Sequence, residues 1–147
     1  MFEKLFELEA RVGPPQSLGP SPMGERRLIP ILGGQFHGRL DGTIRPGGAD
    51  WQILRSDGFA DIDARYQLET TDGHRIEVRS RGLRHGPPDV IARLAAGEPV
   101  PRDAYYFRTA MRFEAAAPQL DWLVRTLAIA HGERRTDAVH LVVYAVL

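Results

Sequence analysis

Cysteine is absent from the 147 residues. Without thiols the chain cannot build a disulfide scaffold, a thiolate zinc site or a cysteine nucleophile. Lysine is almost absent as well. Of 19 basic residues one is Lys4, which leaves 18 arginines. No apolar run approaches the roughly 20 residues of a membrane-spanning helix. The opening Met1-Phe2-Glu3-Lys4 lacks the basic start and long apolar stretch of a secretory leader, so a cytoplasmic location is expected. An excess of either charge is missing too, because 19 acids balance the 19 bases. Neutralising phosphates takes a positive excess on one face, so nucleic acid is not an expected partner. Two readings of the arginines remain. They reflect the codon usage of a GC-rich genome, or some of them form planar anion-binding forks that lysine cannot replace.

Several catalytic signatures are missing. The five histidines (His37, His74, His85, His131 and His140) show no metal-site spacing, so no metal or cofactor is expected. There is no Gly-x-Ser-x-Gly elbow, and Ser80 sits between two arginines with no base beside it. Gly33-Gly34 and Gly47-Gly48 are not followed by Lys-Ser/Thr or a helix, and read as barrel corners or bulges. Internal repeats and low-complexity tracts are also lacking. The length fits one domain over residues 1–147, able to bury roughly 68–70% of its unfolded surface without a staple.

What the chain does have is period-two alternation, the mark of strands with one buried face. Phe6, Leu8, Ala10 and Val12 alternate with charged residues. A loop without periodicity is expected from Gly13 to Gly24. Arg27 to Leu32 is apolar but contains Pro30, which suits an edge or bulge. Phe36, Gly38, Leu40, Gly42 and Ile44 share one face. Trp51 to Arg55 forms another strand. Phe59–Thr71 and Arg75–Arg81 flank Asp72-Gly73, a hairpin signal, with Ile62, Ala64, Tyr66 and Leu68 on one face and Asp61, Asp63, Arg65, Gln67 and Glu69 on the other. Tyr105–Ala115, Leu123–His131 and Ala138–Val146 complete the strands, the last two joined by a Gly132–Asp137 loop. One α-helix is expected near residues 88–97, opened by Pro88 and Asp89 and closed by Gly97, and a second short one over Pro118–Leu123. Roughly eight to ten strands joined by short turns predict a mainly β fold, an antiparallel barrel of lipocalin type.

Six segments carry a family likeness. They are Gly33-Gly34-x-Phe36, Pro46-Gly47-Gly48-Ala49-Asp50-Trp51, Asp63-Ala64-Arg65-Tyr66, the run from Arg79 to Pro87, Tyr105-Tyr106-Phe107-Arg108 and Arg112-Phe113-Glu114. Together they resemble, in order and over nearly the whole chain, the bacterial and fungal group called domain of unknown function 3237, or UPF-0311 proteins. The resemblance implies a β-barrel and brings no established activity or catalytic residue with it.

Three constellations are candidates for chemistry. In the first, Arg79, Arg81, Arg84 and His85 run into a helix start, an arrangement suited to a carboxylate or phosphate, or else a solvated strand end. The second places Asp63 with Arg65, and Glu114 with Arg108, on shared strand faces. Turned inward, Asp63 and Glu114 are acid/base candidates, with Arg65 and Arg108 as anion clamps. Turned outward they are ordinary surface charges, and alternation leaves the choice open. The third is aromatic: most of these rings read as core, but Tyr66, within a family-like segment, and Trp51, following Asp50 at a glycine-rich turn that suits a barrel mouth, are ligand-binding candidates together with Asp50. The expected function is binding of a small, partly apolar, anionic or carbonyl-bearing molecule inside the barrel, with or without metal-free acid/base catalysis. The alternative is a non-enzymatic oligomeric module, since Trp51–Leu54 and Leu141–Val146 carry apolar residues on both faces and a homodimer would cover them.

Overall fold

The computed structural model describes residues 1–147. Ten strands form one antiparallel sheet: β1 (Phe2–Val12), β2 (Gln16–Ser21), β3 (Gly24–Gly38), β4 (Gly42–Ile44), β5 (Gly48–Leu54), β6 (Ala60–Thr70), β7 (Arg75–His85), β8 (Tyr106–Glu114), β9 (Ala128–Arg134) and β10 (Ala138–Val146). Two short helices, α1 (Pro88–Ala95) and α2 (Asp121–Val124), complete it. No helix is long and apolar enough to cross a membrane.

Closure follows from one long strand. β3 spans 15 residues and carries two strands along each side. On one side β1 pairs with Ile31–Gly38 and β2 with Gly24–Leu28. On the other, β4 pairs with Gly34–Phe36 and β5 with Glu25–Ile31. Both β4 and β5 then pair with β6, and the path β6-β7-β8-β9-β10 returns to β1. The ring is thus an eight-stranded antiparallel barrel in which β4 and β5 share one position. Closing the ring removes the open edge of every strand but β2, which pairs only with β3. Gly34 makes the seam possible. Its φ is +148°, and a Cβ there would lie 2.0 Å from the Glu9 carbonyl oxygen of β1.

Pro30 lies inside β3 opposite Ala49, next to a register shift between the Arg11–Gly33 and Val12–Ile31 pairs, in line with the expected bulge. Two local expectations are corrected. The Gly13–Gly24 segment is not all loop, because β2 pairs with the start of β3 despite Pro20. The run from Phe36 to Ile44 is two strands, because Asp41 Oδ1 accepts the Gly38 N–H at 3.1 Å and turns the chain between them.

The barrel interior has two unlike ends. One end is filled by Phe6, Phe36 and Phe113, with Phe6 meeting the other two rings edge-on at 5.4 and 6.1 Å, and by Leu68, Ile76 and Leu123 around them. Towards the other end the inward positions shrink to Ala10, Ala64 and Ser80, and a cavity opens there. α1 crosses that end: Val90 and Leu94 are buried, Ile91 lies against Gly58 in the β5–β6 turn, and Thr136 Oγ1, in the β9–β10 turn, donates to the Gly97 carbonyl at 3.1 Å.

Candidate functional site

The cavity walls are mostly aliphatic, from Leu8, Ile29, Ile31, Ile62 and Leu141 among others. Into this apolar space project Asp50 and Gln52 from β5, Tyr66 from β6, Ser80 and Arg84 from β7, Thr109 from β8 and Arg134 from β9. Parity places them. On β6 the inward set is Ile62, Ala64 and Tyr66, and on β8 it is Phe107, Thr109 and Met111.

Arg84 stands out electrostatically. It is only 8% exposed, its Nε has no hydrogen-bond partner, and it joins no ion pair. Burial, with Arg134 and Arg27 nearby, pulls its guanidinium down to about 10. At neutral pH it therefore remains a cation. Burial also lowers Arg134 from the ordinary arginine range, with Arg27 adding to the effect. The acid facing these cations is Asp50. Burial raises its pKa, against the hydrogen bonds it accepts from the Asp63 N–H and from Gln52 Nε2, both at 3.0 Å. Gln52 in turn accepts from Arg27 through its Oε1. The Tyr66 hydroxyl and the Thr109 hydroxyl are buried without partners, and burial pushes the Tyr66 phenol well above its usual range. Buried polar groups are normally bonded, so three orphaned groups around one cavity form an unusual concentration.

The arrangement supplies a cation for an anionic or carbonyl oxygen, hydroxyl donors beside it, and a carboxyl group whose burial favours its protonated form. No three His, Asp or Glu side chains gather where a metal could be held.

Of the residues singled out from the sequence, Asp50, Tyr66 and Arg84 come together here. The others stand on the outer surface. Asp63 and Arg65 alternate with the inward Ala64 and Tyr66, so both point away from the cavity. Glu114 and Arg108 likewise alternate with inward Phe113, Phe107 and Thr109, and Arg108 donates to the Phe107 carbonyl at 2.9 Å. The inward placement of Asp63, Arg65, Arg108 and Glu114 is thereby corrected. Arg79 also faces solvent, and His85 is stacked outside between Phe59 and Tyr106, at 5.5 and 5.0 Å. The expected cluster at the helix start does not converge, because only Arg84 of the four basic residues turns inward. Pro87 and Pro88 also remove two N–H groups from that helix end. Trp51 lies on the outer rim, 52% exposed.

Gln52, Thr109, Arg27 and Arg134 escaped the sequence reading. Arg134 falls in a segment that reads as a hairpin loop, yet it continues the inward parity of Ala128, Ala130 and Gly132. Thr109 shares parity with Phe107 and Phe113, a signal that was available.

Comparison with known proteins agrees with this architecture. The family model described as "Protein of unknown function (DUF3237)" matches residues 1–146. A UPF0311 protein of Rhodopseudomonas palustris is 40% identical over 144 residues, covering 97% of this chain and 94% of its own. A crystal structure of a conserved protein of unknown function from the same species superposes with a TM-score of 0.94 at 38% identity, covering 100% of this chain and 97% of the other. A β-barrel-like protein from Acinetobacter baumannii gives 0.86 at 41% identity, with 99% and 94% covered.

Proposed function

The chain belongs to the DUF3237 family, and from the geometry of its barrel we propose that it binds a small, partly apolar molecule with an anionic or carbonyl oxygen in the barrel interior, where Asp50 exchanges a proton with it. Arg84 carries the reading. A charge taken out of water without a partner costs several kcal/mol in effective terms. Apolar side chains of similar volume would fill the same position without that cost. A ligand oxygen facing Arg84 supplies the missing counter-charge, and the aliphatic wall accepts the rest of the molecule.

The chemistry follows from the two charged groups. Arg84 polarises a carbonyl oxygen or pairs an anionic one, stabilising negative charge as it develops there. Asp50 has a pKa raised by burial, which moves it towards the range where a carboxyl group both donates and accepts. Tyr66 and Thr109 offer hydroxyl donors with no protein partner to give up.

Calorimetric titration with hexanoate tests the binding. Arg84→Met is expected to weaken it at least tenfold, and equal binding by the variant would sink the reading. Exchange of the α-hydrogens of 4-oxopentanoate in D2O, followed by proton NMR, tests the chemistry. It is expected with the wild-type protein and absent in Asp50→Asn. Hexanoate binding that depends on Arg84 without any exchange would identify a binding module instead of an enzyme.

A second reading concerns the outer surface. Ala110, Ile129 and Tyr144 are register neighbours on three adjacent strands, with exposed Phe2, Leu127 and Val146 beside them. An apolar row of this kind favours self-association. Light scattering of the wild type against Ile129→Glu checks it: loss of a dimer in the variant is the expected result, and a monomeric wild type would exclude it.

A further inference from the structure

The interior cavity is small, about 60 Å³. One water takes roughly 10–15 Å³ measured this way, so the space suits an anionic head and a short apolar stretch. Directly outside the wall lies a polar groove of about 160 Å³, flanked by Trp51, Asp61, Asp63, Arg26 and Arg81. Gln52 is the one residue that borders both volumes.

The wall between them is incomplete. The β5–β6 ladder pairs Asp50 with Ala64, then resumes with Ile53 opposite Asp61. Trp51 and Gln52 have no paired residue on β6. At this gap the Asp63 N–H donates to the Asp50 side chain rather than to a β5 carbonyl. Two side chains thus close the seam: the Asp50 carboxyl, and the Gln52 amide held between Asp50 and Arg27. Side chains move on far shorter timescales than ladder hydrogen bonds break. Outside the gap Trp51 presents its ring to solvent, with Arg81 and Asp63 beside it as polar partners for ring substituents.

We propose that the outer groove is a second subsite of the same ligand site, reached through the β5–β6 seam. The ligand is an aryl-bearing acid. Its anionic head meets Arg84, its linker takes the place of the Gln52 side chain, and its planar group stacks on Trp51. The inference rests on the interior binding reading and extends it to the class of molecule bound. A ligand confined to the cavity would leave an exposed tryptophan and a broken ladder next to each other with no use.

Titration of the full chain with hexanoate and 6-phenylhexanoate separates the two ideas. The phenyl compound is expected to bind about three- to tenfold more tightly, the range of an aromatic pair. In Trp51→Ala that gain should vanish, while hexanoate binding stays within twofold of wild type. Trp51 is exposed, and an unchanged thermal midpoint verifies that the variant is folded. A phenyl gain that survives Trp51→Ala, or no gain at all, overturns the outer subsite and leaves hexanoate binding standing. Failure of hexanoate to bind the wild type overturns the interior reading and this inference with it.

Discussion

A guanidinium held at about 10 by burial is fully charged at neutral pH, and Arg84 carries that charge with no carboxylate within ion-pair distance. Replacing buried ion pairs by apolar side chains of similar volume is often neutral or stabilising by about 1–4 kcal/mol, and a buried charge outside any ion pair has less attraction to lose. Arg84→Met should therefore keep or raise the thermal midpoint while losing hexanoate, which scanning calorimetry checks. Asp50 acts with the opposite pH sense to Glu7, Asp57 and Asp72. Its folded pKa is raised, so between the unfolded and folded values the native state binds more protons, and stability falls as pH rises through that window. Urea unfolding at several pH values should show this slope in the difference between wild type and Asp50→Asn. The comparison must be a difference, because Asp57, Asp72 and Glu7 have lowered pKa values and contribute stability that is lost as pH falls. Anion binding should also weaken as pH rises through the Asp50 titration, since the ionised carboxylate repels an anion. That dependence should be flat in Asp50→Asn. At this scale the sequence pointed to Asp50, Tyr66 and Arg84 but could not rank them above Asp63 or Arg65. Both faces of β6 alternate equally well, and only closure of the sheet decides which of them is inside.

The elements were legible where alternation is uninterrupted. The β6–β7 hairpin and α1 follow their patterns within a few residues, because Asp72-Gly73 and the paired prolines punctuate them. β2 was hidden, since glycine and proline occupy positions where a strand usually shows apolar residues, and its pairing comes wholly from β3. The turn after Gly38 was hidden for a different reason. Gly38, Leu40 and Gly42 keep the strand parity through the bend, and it is the Asp41 side chain that makes the bend. Glycine at the β1–β3 seam is the other element-scale device. With a Cβ 2.0 Å from the Glu9 oxygen, Gly34→Ala must push β1 away or break the pairing. Overpacking of this kind costs about 3 kcal/mol at its upper usual range. The urea midpoint should drop accordingly, with β1 and β3 amides losing hydrogen-exchange protection before those of β7.

Seen as a whole, the molecule keeps its rigid packing and its cavity at opposite ends of one barrel. Phe6→Ala, at the aromatic end, should cost about 3–5 kcal/mol of stability. Because Phe6 borders none of the cavity, the folded fraction should still bind hexanoate within twofold. Arg84→Met should do the reverse, and the two measurements together test the separation. That division has a consequence for how such a barrel changes over generations. Substitutions at Ile62, Ala64 or Leu141 reshape the lining without touching the ring of phenylalanines that holds the strands together. The lining of the chamber is therefore free to vary while the shell stays fixed, so one scaffold accommodates interiors of different shape and polarity.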